Sequence, residues 1–139
     1  MASIERYEDL EVWRLARSFT VTMYRYAKEG AFAKDFGLRS QICRAAVSIV
    51  SNIAEGFECR SNSHFVNFLD MAIGSAAECR AQLYIAHDLN YIDNEAFKEL
   101  HGEVVRIGQM LTRLIQYLRN QPNRPSTTIK RLNDETMER

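Results

Sequence analysis

Ser51, Asn52 and Glu55 interrupt an otherwise apolar run, AAVSIVSNIAEGF, and Glu78 stands in the middle of a second such run. Two carboxylates facing each other across a helix pair could begin a carboxylate-bound iron or manganese centre. Such a centre also needs E-x-x-H pairs on facing helices. His64, His87 and His101 do not lie three positions after a Glu, so Glu55 and Glu78 leave that ligand set incomplete. Cys43, Cys59 and Cys79 are an odd number with no close C-x-x-C pair. That spacing suits neither a zinc finger nor a disulfide framework, and the three read as small, reduced core residues. A Cys–His nucleophile would need a proximity that the spacing does not supply. Ser48 and Ser51 lack the strand-turn-helix setting of a hydrolase serine, and Gly30, Gly37 and Gly56 form no phosphate cradle. The expectation is therefore a non-enzyme, with no catalytic residue, no metal and no cofactor.

Hydrogen bonding is the other chemistry open to these residues. Ser51 and Glu55 are one helical turn apart, Asn52 and Glu55 share a neighbouring face, and Gln82 follows Glu78 by one turn. Arg44 could pair with either acid across an interface. Because buried polar groups require partners, Arg44, Ser51, Asn52, Glu55 and Glu78 are read as a structural polar seam that fixes helix or subunit register. A second set is basic. Arg14 and Arg17 lie close together early in the chain, and Arg106 and Arg113 recur near its end. Self-association would join these four into a positive rim able to meet RNA or DNA. The competing reading is a solvated bundle face.

Charge weighs against a strong nucleic-acid binder. Lys plus Arg and Asp plus Glu are 18 each, for a formal net charge of zero. The two counts stay close on either side of residue 120, so no separate basic arm hides in the average. With 46% hydrophobic and 26% charged residues, the composition is that of an ordinary globular domain. MASIERYEDLEVW carries four acids and no signal-like apolar run, and no segment reaches membrane-spanning length. A cytoplasmic, non-membrane protein is expected.

Four long helices must position the polar residues. Leu10, Trp13, Ala16, Met23 and Ala27 recur at helical spacing and predict a first helix over about 8–29, with Gly30 as a stop. The second is predicted from 36 or 37 to 57, apolar on two faces, as befits a central helix or one buried again between subunits. Ser61 and Ser63 are both eligible caps for the third, whose stripe runs from Phe65 to Ala86. Its small residues permit close approach, so Gly74 reads as a packing residue. Asp93 is a cap for the fourth, which runs to Leu118. Short connections near 30–35, 58–63 and 90–92 favour an all-α, antiparallel up-down-up-down four-helix bundle. Residues 1–120 form that domain, and 121–139, beginning QPNRPSTT, read as a flexible tail.

Three segments carry a more specific resemblance: YEDLEVWRLAR at 7–17, FGLRSQICRAAVSIVSNIAEGF at 36–57 and FLDMAIGSAAE at 68–78. Together with LNYID at 89–93 they resemble the bacterial four-helix-bundle family encoded in intervening sequences of large-subunit ribosomal RNA genes, over about residues 5–119. The resemblance implies an antiparallel four-helix protomer, often assembled as a ring-like homopentamer, in a family without an established biochemical activity. Wider relatives include accessory proteins of diversity-generating retroelements, in which a basic barrel associates with nucleic acid and reverse transcriptase. Two departures stand out. Val50 replaces the Pro common before SNIAEG, which removes a reason for a bend, and the chain is neutral where the nucleic-acid-binding relatives are strongly basic. The expected role is a homo-oligomeric, pentameric scaffold, with a nucleic-acid-binding accessory protein as the alternative.

Overall fold

The computed structural model describes residues 4–122. A 3-10 turn at Tyr7–Asp9 leads into α1 (Glu11–Ala27), followed by a short α2 (Gly30–Lys34), α3 (Phe36–Phe57), α4 (Asn62–Asp88) and α5 (Asn94–Arg119). The four long helices form the bundle: α1 packs on α3 and α5, and α4 packs on the same two from the other side. The expectation of an all-α, antiparallel bundle holds. The tail expected over 121–139 falls, from residue 123 onward, outside the described residues.

Side-chain periodicity explains the packing. Val12, Ala16, Phe19, Met23 and Ala27 are buried along α1, and Leu100, Val104, Ile107, Leu111 and Ile115 along α5. Each is one apolar stripe on an otherwise polar helix. The helices α3 and α4 supply the centre, with Ile42, Ile49, Ile53, Leu69, Cys79 and Leu83 buried among the rest of the core. The caps lie where a short polar side chain can reach an unpaired backbone N–H. Asp35 accepts from Leu38 N at 3.1 Å, Ser61 from His64 N at 3.1 Å and Asp93 from Ala96 N at 2.8 Å. Ser61, rather than Ser63, starts α4.

Three local features depart from the sequence reading. The first helix is shorter than 8–29, because Leu10 takes an extended conformation between the 3-10 turn and α1. The connection near 30–35 is not a plain loop. Gly30 has φ 54°, a left-handed conformation that suits glycine, and α2 then carries Phe32 into the core, stacked on Tyr91 at 5.3 Å. The glycine roles also differ. Gly74 is exposed, with nothing within 4 Å of where a Cβ would stand, so the protomer does not use it for packing. Gly56 is the close-approach residue: a Cβ there would lie 2.7 Å from Phe68 Cβ and 2.8 Å from Phe65 Cδ1.

One buried polar side chain closes the bundle. Asn62 is 5% exposed, and its Nδ2 donates to the carbonyls of Leu118, Gln121 and Pro122 at 3.2, 3.4 and 3.0 Å. It thereby serves carbonyls at the end of α5, which the helix itself leaves unpaired. At the opposite end Asn90 takes φ 61°, and Tyr91 N returns to Ala86 O at 2.9 Å, a left-handed helix stop of the Schellman kind. Among the described residues no helix is long and apolar enough to cross a membrane.

Candidate functional site

The polar residues of α3 divide between two surroundings. Asn52 turns toward α4: its Nδ2 donates to Ser48 O at 2.9 Å and to Ser48 Oγ at 3.0 Å. Ser75 Oγ on α4 then donates to Ser48 Oγ at 2.9 Å, joining the helices. Gln82 Nε2 donates to Gln41 Oε1 at 3.1 Å about two turns along the same seam. Arg44 and Glu78 line one cleft of ≈ 400 Å³ with Gln41, Ser48 and Ser75, but no ion pair joins them. Ser51 and Glu55 are exposed. The seam within the protomer thus centres on Ser48 and Ser75, and Arg44, Ser51, Glu55 and Glu78 lie along its outer edge.

The same outer surface carries large apolar side chains that the protomer does not cover. Phe36 is 72% exposed at the start of α3, and Val47 follows three turns later. On α4, Met71 and Ile85 are each 49% exposed, and Leu89 just beyond it is 50% exposed. Met71, Glu78, Ile85 and Leu89 fall on one side of α4 by their spacing, and exposed Gly74 and Ala81 lie between them.

Of the four arginines predicted as a basic surface, Arg14 and Arg17 line one cleft on α1 together with Arg25. Arg14 is held by the entry segment, with Nε donating to Glu8 O at 2.7 Å and Nη2 to Asp9 Oδ1 at 3.3 Å. Arg106 reaches from α5 to Glu11 Oε1 on α1 at 3.5 Å, which brings it to within one turn of Arg14. Arg17 stands over the Trp13 ring, 5.6 Å from its centroid. Arg113 belongs to another surface, a groove of ≈ 610 Å³ between α4 and α5, which it shares with Arg80. Sequence reading missed Arg80. Its signal was weak, a single arginine among alanines.

Cys43 and Cys79 are buried in the core, whereas Cys59, just after α3, is only partly covered. Burial pushes the Cys79 thiol up to about 12, with Glu78 and Cys43 adding to the shift, and burial also raises Cys43. Thiols so held remain protonated at neutral pH and are poor nucleophiles. No group of three or more His, Cys, Asp or Glu residues is gathered to hold a metal ion.

Comparison with known proteins agrees with this architecture. No curated protein matches the chain. A solved crystal structure from Bacteroides thetaiotaomicron VPI-5482, a protein with unknown function from the S23 ribosomal protein family, is similar with a TM-score of 0.69 and 26% identity, over 75% of this chain and 97% of that one. The profile of the 23S rRNA-intervening sequence protein matches residues 8–113, from the entry turn almost to the end of α5. By that match, the chain belongs to the 23S rRNA-intervening sequence protein family.

Proposed function

We propose that the protein is a non-enzymatic cytoplasmic scaffold that acts as a homo-oligomer, the ring of five that its family resemblance implies. The observation that carries this reading is the uncovered apolar side of α4. Met71, Ile85 and Leu89 are about half exposed, on a helix whose opposite side already fills the core. Small residues between them would let another helix approach closely. Arg44 and Glu78, without ion-pair partners among the described residues, are the polar groups that a second copy would pair and so hold in register. Light scattering on the purified chain tests the proposal. The wild type is expected at a multiple of 16.1 kDa, and a Met71→Lys/Ile85→Lys variant at the monomer mass with unchanged helicity. A monomeric wild type, or a variant that assembles as before, overturns the reading.

A second reading, an accessory protein for RNA or DNA, has one specific observation in its favour. Arg14 and Arg106 are engaged by carboxylates, whereas Arg17 and Arg113 have none within 4 Å among the described residues. The distant likeness to retroelement accessory proteins belongs with this reading.

A further inference from the structure

We infer that the groove between α4 and α5 binds single-stranded nucleic acid, with Arg80 and Arg113 receiving phosphates and Tyr84 stacking on a base. This deepens the accessory reading, rests on it, and moves its site away from α1.

Charge is the first argument. Although the chain as a whole is neutral, the residues lining this groove include two arginines and no Asp or Glu. Neither Arg80 nor Arg113 has an ion-pair partner among the described residues. Between them lies an uncharged floor of Ala77, Val105 and Gly108, and a Cβ at Gly108 would meet nothing within 4 Å. Such a floor tolerates sugar and base edges without demanding hydrogen bonds.

An aromatic end wall is the second. Tyr84 stands one turn beyond Arg80 on α4, and His101 one turn before Val105 on α5. Their contact bridges the helices: Tyr84 Oη lies 3.1 Å from His101 Nε2, with ring centroids 5.4 Å apart. Phe97 braces both rings, at 5.2 Å from each. Tyr84 is nevertheless 50% exposed, a ring held from one side and open on the other. Stacking on such a ring is how sequence-tolerant single-strand binders hold bases, alongside cations that track the backbone. A carboxylate-rich peptide would match the arginines but leave the ring without a role. A duplex keeps its bases paired and stacked, so it would meet the arginines but offer the ring no free base face.

The test is fluorescence anisotropy of the full chain with labelled oligo(U) and oligo(dT) of about ten nucleotides, at several salt concentrations. Arg80→Gln/Arg113→Gln is expected to weaken binding by about tenfold or more. It should also lower the slope of log affinity against log salt by roughly 1.4, the value for two single-strand phosphate contacts. Tyr84→Leu should weaken binding by about fivefold or more and leave the slope unchanged. All three side chains are exposed, and circular dichroism checks that the variants fold. Binding that survives these changes but is lost in Arg14→Gln/Arg17→Gln overturns the groove and leaves the accessory reading standing. No binding by the wild type overturns both. Competition by free UMP as effective as by the oligonucleotide replaces the strand with a free nucleotide, and equal competition by oligo-glutamate replaces it with an acidic protein segment.

Discussion

The α3–α4 seam and the α1–α5 seam solve the same packing problem with different side chains. Between α3 and α4 the contacts are short: Gly56 against Phe65 and Phe68, Ser48 against Ser75, and Cys79 Sγ 3.8 Å from Ile42 O. Between α1 and α5 they are long, with Arg106 reaching Glu11 at 3.5 Å and Tyr26 Oη reaching Glu99 at 3.4 Å across exposed edges. Long polar side chains at the edge of an amphipathic helix cover its apolar stripe with their stems. Small residues cover nothing, so α3 and α4 approach closely and leave Phe36, Val47, Met71 and Ile85 on their outer side. The side of the molecule that packs most intimately within the protomer is therefore also the side with apolar surface left for a partner.

Breaking the short-contact seam should have the largest effect on stability. Gly56→Ala places a methyl group where Phe68 Cβ and Phe65 already stand. The expected loss is about 1–3 kcal/mol in urea unfolding, because overpacking outweighs the roughly 1 kcal/mol that alanine gains in helix propensity. Gly74→Ala sharpens the contrast, since open space there predicts a gain of about 0.5–1 kcal/mol in the isolated protomer. Next is Asn62→Ala, which removes the shared donor at the end of α5 and should cost about 1–2 kcal/mol. Equal effects of the two glycine substitutions would refute the assignment of Gly56, and not Gly74, to the close contact between α3 and α4.

The smallest effect belongs to the long-contact seam. Partial burial raises the Glu103 carboxyl above its ordinary 4.5, and Glu99 adds to the shift. Its Oε2 is buried without a hydrogen-bond partner among the described residues. A raised folded-state value means that stability is fullest below pH 4.5 and declines as pH rises through the folded value. Glu103→Gln should therefore raise the melting temperature slightly at pH 7 and give no gain near pH 4. A gain of equal size at both pH values would show that charge is not the cause.

Much of the scaffold was legible in the sequence because it depends on period and on caps. Phe36–Phe57 is the predicted second helix, and Ser61 and Asp93 act where short polar residues preceded apolar stripes. Single contacts were harder to read. A five-residue α2 is too short to show a period, and one buried Phe32 carries it. Gly56 and Gly74 both sit in small-residue helical runs, and only the neighbouring chain decides which is crowded. Ser48 gave no more signal than Ser51, yet orientation by less than one turn puts one in the seam and leaves the other in solvent. The basic residues were legible as types but not as partners: acids near the N-terminus engage Arg14 and Arg106, and Arg80 emerges only once α5 lies beside α4.

Asn62 has a practical consequence. Because its side chain grips the backbone at Leu118, Gln121 and Pro122, the segment just after α5 is held at a fixed point beside the α3–α4 turn. The far end is where His87 Nε2 and Asn94 Oδ1 lie 2.6 Å apart. A fluorophore placed at Gln121 and another near Asn94 would thus sit at opposite poles of α5, which spans about 39 Å at the helical rise. Energy transfer between such labels on different copies would report whether neighbours in an assembly point the same way or alternate.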